Sequence, residues 1–244
     1  MKDHSPTAKE FYDEMWSSQR TIDEDKEILS MRSESIEYSY RRAEPLGGKK
    51  LLEIGCGAGF QTVEFAKRGA LVTAIDFSES SVKNTKLLIA KQDRSADVRR
   101  MNAESLDFPD GSFDIIYINS VLMHADKKKI LRECSRVLRQ GGRVIIVEPL
   151  SHNPFLLPYR LFFSPYKKTN PNYMSLSLFR KYLEFFSKMR HKEFYFFYVL
   201  ALPLRNRKSF RLLKKLIANA DQALLKTVPF LRNLCWVSVV EYEK

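Results

Sequence analysis

Cysteine is scarce in this chain of 244 residues: Cys56, Cys134 and Cys235 are the three, and no two form a C-x-x-C pair. That argues against a disulfide framework and a thiolate metal site, and it fits reduced thiols in a cytoplasmic protein. No group of His, Cys, Asp and Glu has metal-ligand spacing, so the expected chemistry uses no metal. The start, Met1-Lys-Asp-His-Ser-Pro, lacks the apolar core of a secretory signal. The longest nearly uncharged apolar run, Phe194 to Leu204, falls well short of the roughly 18 residues that cross a bilayer. There is no internal repeat and no low-complexity tract. Acidic residues are short in one part only. Residues 150–244 hold 17 Lys and Arg against 5 Asp and Glu, whereas residues 1–149 hold 24 of each, so the whole net charge of +12 lies in the last part. The aromatics lean the same way, with 19 of the 30 at or beyond residue 150. This asymmetry points to an acidic partner: a membrane surface, a nucleic acid or an anionic substrate.

What is present centres on Leu51-Leu-Glu-Ile-Gly-Cys-Gly-Ala-Gly-Phe60. An apolar run with one acid enters a turn whose alternate residues are Gly55, Gly57 and Gly59, and a helical pattern follows at once. Glycine permits positive φ and lets a ligand approach where a Cβ would collide. The dinucleotide fingerprint is G-x-G-x-x-G with a pyrophosphate on the helix N-terminus. Here the third glycine comes one residue early and Phe60 stands in the fingerprint's place. A nucleoside ligand without a pyrophosphate fits better.

Around that turn the chain alternates strand and helix. Residues 1–46 read as charged helices, with Phe11, Tyr12, Met15 and Trp16 on one face and a break at Pro45-Leu-Gly-Gly. Strands are expected at Lys49 to Ile54, Leu71 to Ile75 (closing at Asp76), Val98 to Asn102, Phe113 to Ile118 and Arg143 to Val147. Helices are expected at Gln61 to Arg68, Glu79 to Lys91 capped by Ser78, and Asp126 to Arg139, ended by Gln140-Gly-Gly. Lys208 to Leu225 reads as a basic helix. Phe194 to Val199 and Trp236 to Tyr242 read as strands that complete the sheet antiparallel. Residues 150–190, rich in Pro and aromatics, are expected to form a lid over the strand ends. Such alternation gives a doubly wound α/β sheet whose ligand site lies at the carboxyl ends of the strands.

Taken together these residues resemble the class I S-adenosylmethionine-dependent methyltransferases, in particular the small-molecule, ubiquinone-biosynthesis-like group. Glu53-Ile-Gly-Cys-Gly-Ala-Gly is similar to that family's first motif, and Asp76 to its ribose-binding acid. Asn102-Ala-Glu resembles the adenine-side element. Asp110-Gly-Ser-Phe-Asp-Ile-Ile-Tyr, Val137-Leu-Arg-Gln-Gly-Gly and Val144-Ile-Ile-Val-Glu-Pro resemble the fourth and fifth strands and their linker. The likeness covers roughly residues 48–150. It implies a Rossmann-like, doubly wound, mostly parallel seven-stranded sheet with helices on both faces. The organisation it implies is an N-terminal helical cap over 1–46, a cofactor-binding core over 47–150, and an acceptor lid with sheet completion over 151–244, all one integrated domain. The cofactor it implies is S-adenosyl-L-methionine, held by Glu53, Gly55, Cys56, Gly57, Gly59, Asp76, Phe77, Ser78, Met101, Asn102, Ala103, Glu104, Asn119 and Ser120. Glu53 would bond the turn amides or the cofactor's amino group, and Phe77 and Met101 would flank the adenine. Cys56 reads as a small residue that fits between glycines.

Methyl transfer from a sulfonium needs mainly in-line positioning, and a base helps only a hydroxyl or ammonium nucleophile. His124, in Asn119-Ser-Val-Leu-Met-His, is the leading candidate base, with His152 and Glu148 behind it. Tyr12, Trp16, Met123, His124, His152 and Tyr159 are the candidate acceptor contacts. Phe155, Phe162, Phe163, Tyr166 and Tyr173, mixed with Arg160, Lys167 and Lys168, suit an apolar or aromatic acceptor, O-methylated, or peripheral contact with an anionic membrane. Two other readings compete: an RNA or DNA methyltransferase using the basic part, and a cofactor-binding adapter without catalysis. Against the first, the segment after the fourth strand reads Asn119-Ser-Val-Leu, not Asn-Pro-Pro-Tyr, and no RNA-binding module accompanies it. The intact glycine turn with Asp76 speaks against the second.

Overall fold

A computed structural model describes residues 8–162, 164, 169–200 and 210–244. Three helices come first: α1 (Ala8–Ser17), α2 (Gln19–Met31) and α3 (Ser33–Ala43). The α/β core follows as β1 (Lys50–Ile54), α4 (Phe60–Lys67), β2 (Leu71–Asp76), α5 (Glu79–Lys91), β3 (Asp97–Arg100), β4 (Phe113–Asn119), α6 (Lys127–Val137) and β5 (Leu138–Pro149). The last part holds α7 (Leu157–Phe162), α8 (Leu176–Lys181), β6 (Lys188–Phe194), α9 (Phe210–Thr227) and β7 (Val237–Glu243).

The strands form one sheet in the order β3-β2-β1-β4-β5-β7-β6. β1 to β5 are parallel, and β7 runs antiparallel to both β5 and β6. The order reverses between β1 and β4, which makes their carboxyl ends the crevice of the fold. Both faces are covered, and the strands alternate between them because successive side chains point to opposite sides. Leu51, Val72, Ala74, Ile115, Tyr117, Ile145 and Val147 pack with Ile36, Tyr40 and Ala43 of α3 and with Phe65 of α4. Leu52, Ile54, Ile116, Ile118, Val144 and Ile146 pack with Ile130, Leu131, Cys134 and Val137 of α6.

Local signals place the core elements closely. α5 runs from Glu79 to Lys91 as expected, and Ser78 caps it by accepting the Ser81 amide at 3.2 Å. Asp126 caps α6 through the amides of Lys128 and Lys129. Three expectations fail. First, α6 ends at Val137 and β5 begins at Leu138, so Gln140-Gly141-Gly142 lies inside a strand. The glycines are paired there by the chain's end: Gly141 N donates to Lys244 O and Lys244 N to Gly142 O, both at 3.1 Å.

Second, the penultimate strand is Lys188–Phe194, not Phe194 to Val199. An edge strand keeps polar side chains, so its sequence does not look buried. The aromatic run leaves the sheet at Tyr195 (φ +69°) and packs under the N-terminal helices. Tyr195 Oη accepts the Ser35 amide at 2.9 Å, and Tyr198 Oη donates to Met31 O at 3.0 Å. Third, the expected lid over 150–190 divides. Met174, Leu176, Phe179, Tyr182 and Phe186 enter the core on the α6 face, whereas α7 has no buried residue. Lys208 and Ser209 of the expected basic helix, and Phe163, Tyr166, Lys167 and Lys168 of the aromatic-basic mixture, lie outside the described residues.

Candidate active site

The glycine turn joins β1 to α4 with positive φ at Gly55, Gly57 and Gly59. At Gly59 an added Cβ would sit 2.8 Å from Thr85 Cα, so glycine there lets α4 and α5 approach. At Gly57 it would meet the indole of Trp16 at 3.1 Å, so this glycine faces the ligand side and α1 lies over it. The turn's own amides are already engaged. Gly55 N and Cys56 N donate to Ile75 O, Gly59 N to Cys56 O, and Gly57 N to Asp76 Oδ2 at 3.1 Å. At these four positions the turn offers bare surface, not donors.

Asp76 closes β2. Its Oδ1 accepts the Ser78 amide at 3.0 Å, and each oxygen keeps a further lone pair. Burial raises its pKa, while the amides of Ser78 and Gly57 pull the other way. Glu53 is fully buried in β1. Thr62 Oγ1 donates to its Oε2 at 2.5 Å, and Oε1 has no partner. It does not bond the turn amides. Burial, with Asp76 nearby, pushes its pKa up to about 8. Phe77 meets Tyr12 edge to face at 5.8 Å. Met101 N donates to Asp76 O at 2.9 Å, so the end of β3 stands beside that acid. Asn102 Oδ1 accepts the Glu104 amide, Ala103 is half-buried between them, and Glu104 Oε1 accepts the Asp126 amide.

On the other side of the crevice, β4 ends at Asn119, and Ser120 takes φ +59°. A residue other than glycine in that region is held there by its surroundings. Arg32, at the junction of α2 and α3, is the holder. It donates from Nη1 to Ser120 Oγ at 3.1 Å and from Nη2 to Asn119 Oδ1 at 3.2 Å. Arg32 is buried, its Nε has no partner, and burial lowers its pKa. Val121 packs against Gly55, so this loop and the glycine turn share one wall. Glu148 braces the loop from β5. Its Oε1 accepts the amides of Val121 and Leu122, each at 2.7 Å, while its buried Oε2 has no partner. Burial pushes its pKa up to about 7 against the pull of those amides and of Arg32 and Lys127.

His124 sits in the 3-10 turn that follows, 2.5 Å from Tyr12 Oη through Nε2. Burial, helped by Lys127, takes its pKa down to about 4, so the ring is neutral near pH 7. α1 therefore brings Trp16 onto Gly57 and Tyr12 onto His124 together, and Asn84 Nδ2 of α5 holds Trp16 O at 2.7 Å. Met123 O accepts the Asn172 amide at 2.8 Å. His152 and Tyr159 are exposed, and His152 Nδ1 pairs with Ser151 Oγ at 2.7 Å. They are not brought to His124 by any described contact. Sequence reasoning missed Arg32 altogether, because a single Arg at a helix junction reads as a surface charge. It also passed over Lys127, which is buried beside the site and has a lowered pKa.

The arrangement fits a nucleoside-bearing cation with an α-amino acid tail. Among the described residues, buried polar atoms without partners include Glu53 Oε1 of β1, Glu148 Oε2 of β5 and Nε of Arg32, whose guanidinium bonds the end of β4. Comparisons with known proteins agree. Residues 52–146 match a protein family described as a methyltransferase domain. Over 101 residues the chain is 37% identical to a ubiquinone biosynthesis O-methyltransferase of Idiomarina loihiensis, covering 41% of this chain and 42% of that protein. The chain thus spans less than half the length of this relative. Among solved structures, YcgJ of Bacillus subtilis superposes with a TM-score of 0.60 at 19% identity, covering 87% of this chain and 98% of that one. Phosphoethanolamine N-methyltransferase 2 of Haemonchus contortus, solved with S-adenosyl-L-methionine, gives 0.65 at 16% identity, covering 85% and 51%. At these identities the structural likenesses speak for the fold.

Proposed function

We propose that this chain, whose residues 52–146 match a methyltransferase domain, transfers a methyl group from S-adenosyl-L-methionine to a hydroxyl of an apolar or aromatic small molecule. The observation that carries the reading is the closed pair Tyr12–His124, a neutral imidazole against a phenolic hydroxyl at 2.5 Å, on a helix that also sets Tyr12 against Phe77, next to Asp76, and Trp16 over Gly57. The cofactor supplies a methyl on a sulfonium sulfur, which keeps the bonding electron pair as the new O–CH3 bond forms. Asp76 offers its second lone pairs to the two ribose hydroxyls, a charge-assisted arrangement. Arg32 Nε and the unpartnered Glu53 and Glu148 oxygens receive the charged groups of the amino-acid tail. Glu53 in this reading accepts from the ammonium, so its carboxyl, raised in the absence of a cation, ionises on binding. Phe77 and Met101 border the adenine.

His124 acts as the base. It is neutral at pH 7, and its Nε2 takes the proton that the acceptor hydroxyl loses when oxygen attacks the methyl carbon. Tyr12 occupies this position when α1 is closed and gives way to the acceptor's hydroxyl. A phenol at this point in the fold suggests a phenolic acceptor. The partial similarity to a ubiquinone biosynthesis O-methyltransferase supports a quinone-precursor-like molecule. The test is incubation with labelled cofactor and a panel of catechols and prenylated phenols, with mass analysis of products. Gain of one CH2 on a hydroxyl, lost in His124→Ala, is expected. Transfer to amines or carbon alone would overturn the O-methylation assignment.

A further inference from the structure

An apolar surface beside the acceptor end of the sheet has no role in the chemistry above. Three chain-distant segments meet at Asn153, which is fully buried. Its Oδ1 accepts the amides of Phe155 and Leu156, which lead into α7. Its Nδ2 faces the carbonyls of Tyr195 and Phe196 and donates to Leu234 O at 2.9 Å. Each of the three segments presents large apolar side chains to solvent. Leu157 and Leu161, one helical turn apart on α7, are 49% and 59% exposed. Phe197 and Leu200 are 41% and 56% exposed, and Phe230, in the 3-10 turn of Pro229–Leu234, is 67% exposed. Scattered apolar residues need no explanation, but several at one junction mark an interaction surface.

The charge of the same region says what it faces. Residues 150–244 carry 17 Lys and Arg against 5 Asp and Glu. Lys215 and Lys226 of α9 are exposed alongside Leu216. α9 is joined to this surface by Asp221, whose oxygens accept the amides of Phe197 and Tyr198. Apolar tips in a part of the chain with this excess of cations match an anionic bilayer, where the side chains enter the headgroup boundary and cations meet the phosphates. The surface is also tied to the site. Arg160 of α7 donates from Nη1 to Leu150 O at 2.7 Å, at the end of β5, and lies 4.0 Å over the Tyr173 ring. The neighbouring Asn172 holds Met123 O, next to His124.

We propose that α7, residues 197–200 and the turn at Phe230 form a docking face for anionic lipid bilayers, which sets the acceptor mouth against the membrane. The acceptor then is a membrane-resident amphiphile. This last step rests on the methyl-transfer reading, whereas the docking itself does not. The experiment is flotation of the full chain with vesicles of phosphatidylcholine alone and of phosphatidylcholine mixed with phosphatidylglycerol, at low and high salt. Binding to the mixed vesicles only, weakened by salt, is expected. The pair Leu161→Asp and Phe230→Asp changes exposed positions, and its bound fraction should fall about tenfold or more. Calorimetry with S-adenosylhomocysteine on the same preparations separates the two claims. Cofactor binding without flotation overturns docking alone, and flotation without cofactor binding overturns methyl transfer alone. Equal binding to both vesicle types, flotation unchanged in the variants, or self-association through this face in the ultracentrifuge would each overturn the docking proposal.

Discussion

His124 is neutral because it is dry. Burial and Lys127 take its pKa down to about 4, so it stays neutral across the physiological range. Followed by NMR, its ring resonance should show no midpoint near the ordinary histidine value of about 6.5. A midpoint there would contradict both its burial and its assigned state. Removing the Tyr12 hydroxyl with Tyr12→Phe should leave cofactor affinity within about threefold, because the contact is a single neutral hydrogen bond on the acceptor side. The site was partly legible at this scale. Glu53, the three glycines and Asp76 are marked by spacing and strand ends. Arg32 is not, because its role depends on a helix junction 88 residues from Ser120 folding back onto β4.

At the scale of elements, α1 closes over the crevice, and acceptor entry in the proposed reaction calls for it to move. Trp16 over Gly57 and Tyr12 against His124 both leave the crevice if α1 swings out. Trp16 is one of two tryptophans. Its emission should change on addition of S-adenosylhomocysteine, and Trp16→Phe should remove the change while Trp236 still emits. A signal that persists in Trp16→Phe would place the movement elsewhere. The hairpin of β6 and β7 is held differently. Glu241, 3% exposed, pairs with Arg42 of α3 and with Arg190 at 3.0 Å. Arg42→Leu strands part of that buried charge and should cost about 3 kcal/mol in urea unfolding, most of it recovered when Glu241→Leu is added. A loss below about 1 kcal/mol would show that Arg190 alone suffices. Helices with caps, such as α5 behind Ser78, were readable from sequence. The edge strand β6 was not, because Lys188–Phe194 is polar while the aromatic run after it looks like a buried strand.

For the whole molecule, the buried carboxyls set the pH dependence. Glu53 and Glu148 have pKa values raised from 4.5 to about 8 and about 7. A carboxyl raised in the folded state contributes stability that is full below its unfolded pKa and is lost as pH rises through the folded one. Unfolding midpoints of the cofactor-free chain should therefore fall from about pH 5 to about pH 8.5, and Glu53→Gln should flatten the fall. A rise over that interval would contradict the assignment. The alternation of strand and helix made the parallel part of the sheet legible, and of its antiparallel end β7. The fate of residues 174–186 was not, since buried aromatics in a lid and in a core have the same composition.

The central claim is that the crevice between β1 and β4 holds a nucleoside methyl donor through Asp76. Titration calorimetry with S-adenosylhomocysteine tests it without knowledge of the acceptor. Saturable binding at one site per chain, weakened about 10- to 100-fold in Asp76→Ala by loss of the charge-assisted bonds, is the expected result. Absence of binding by the native chain, or equal affinity in Asp76→Ala, would contradict it.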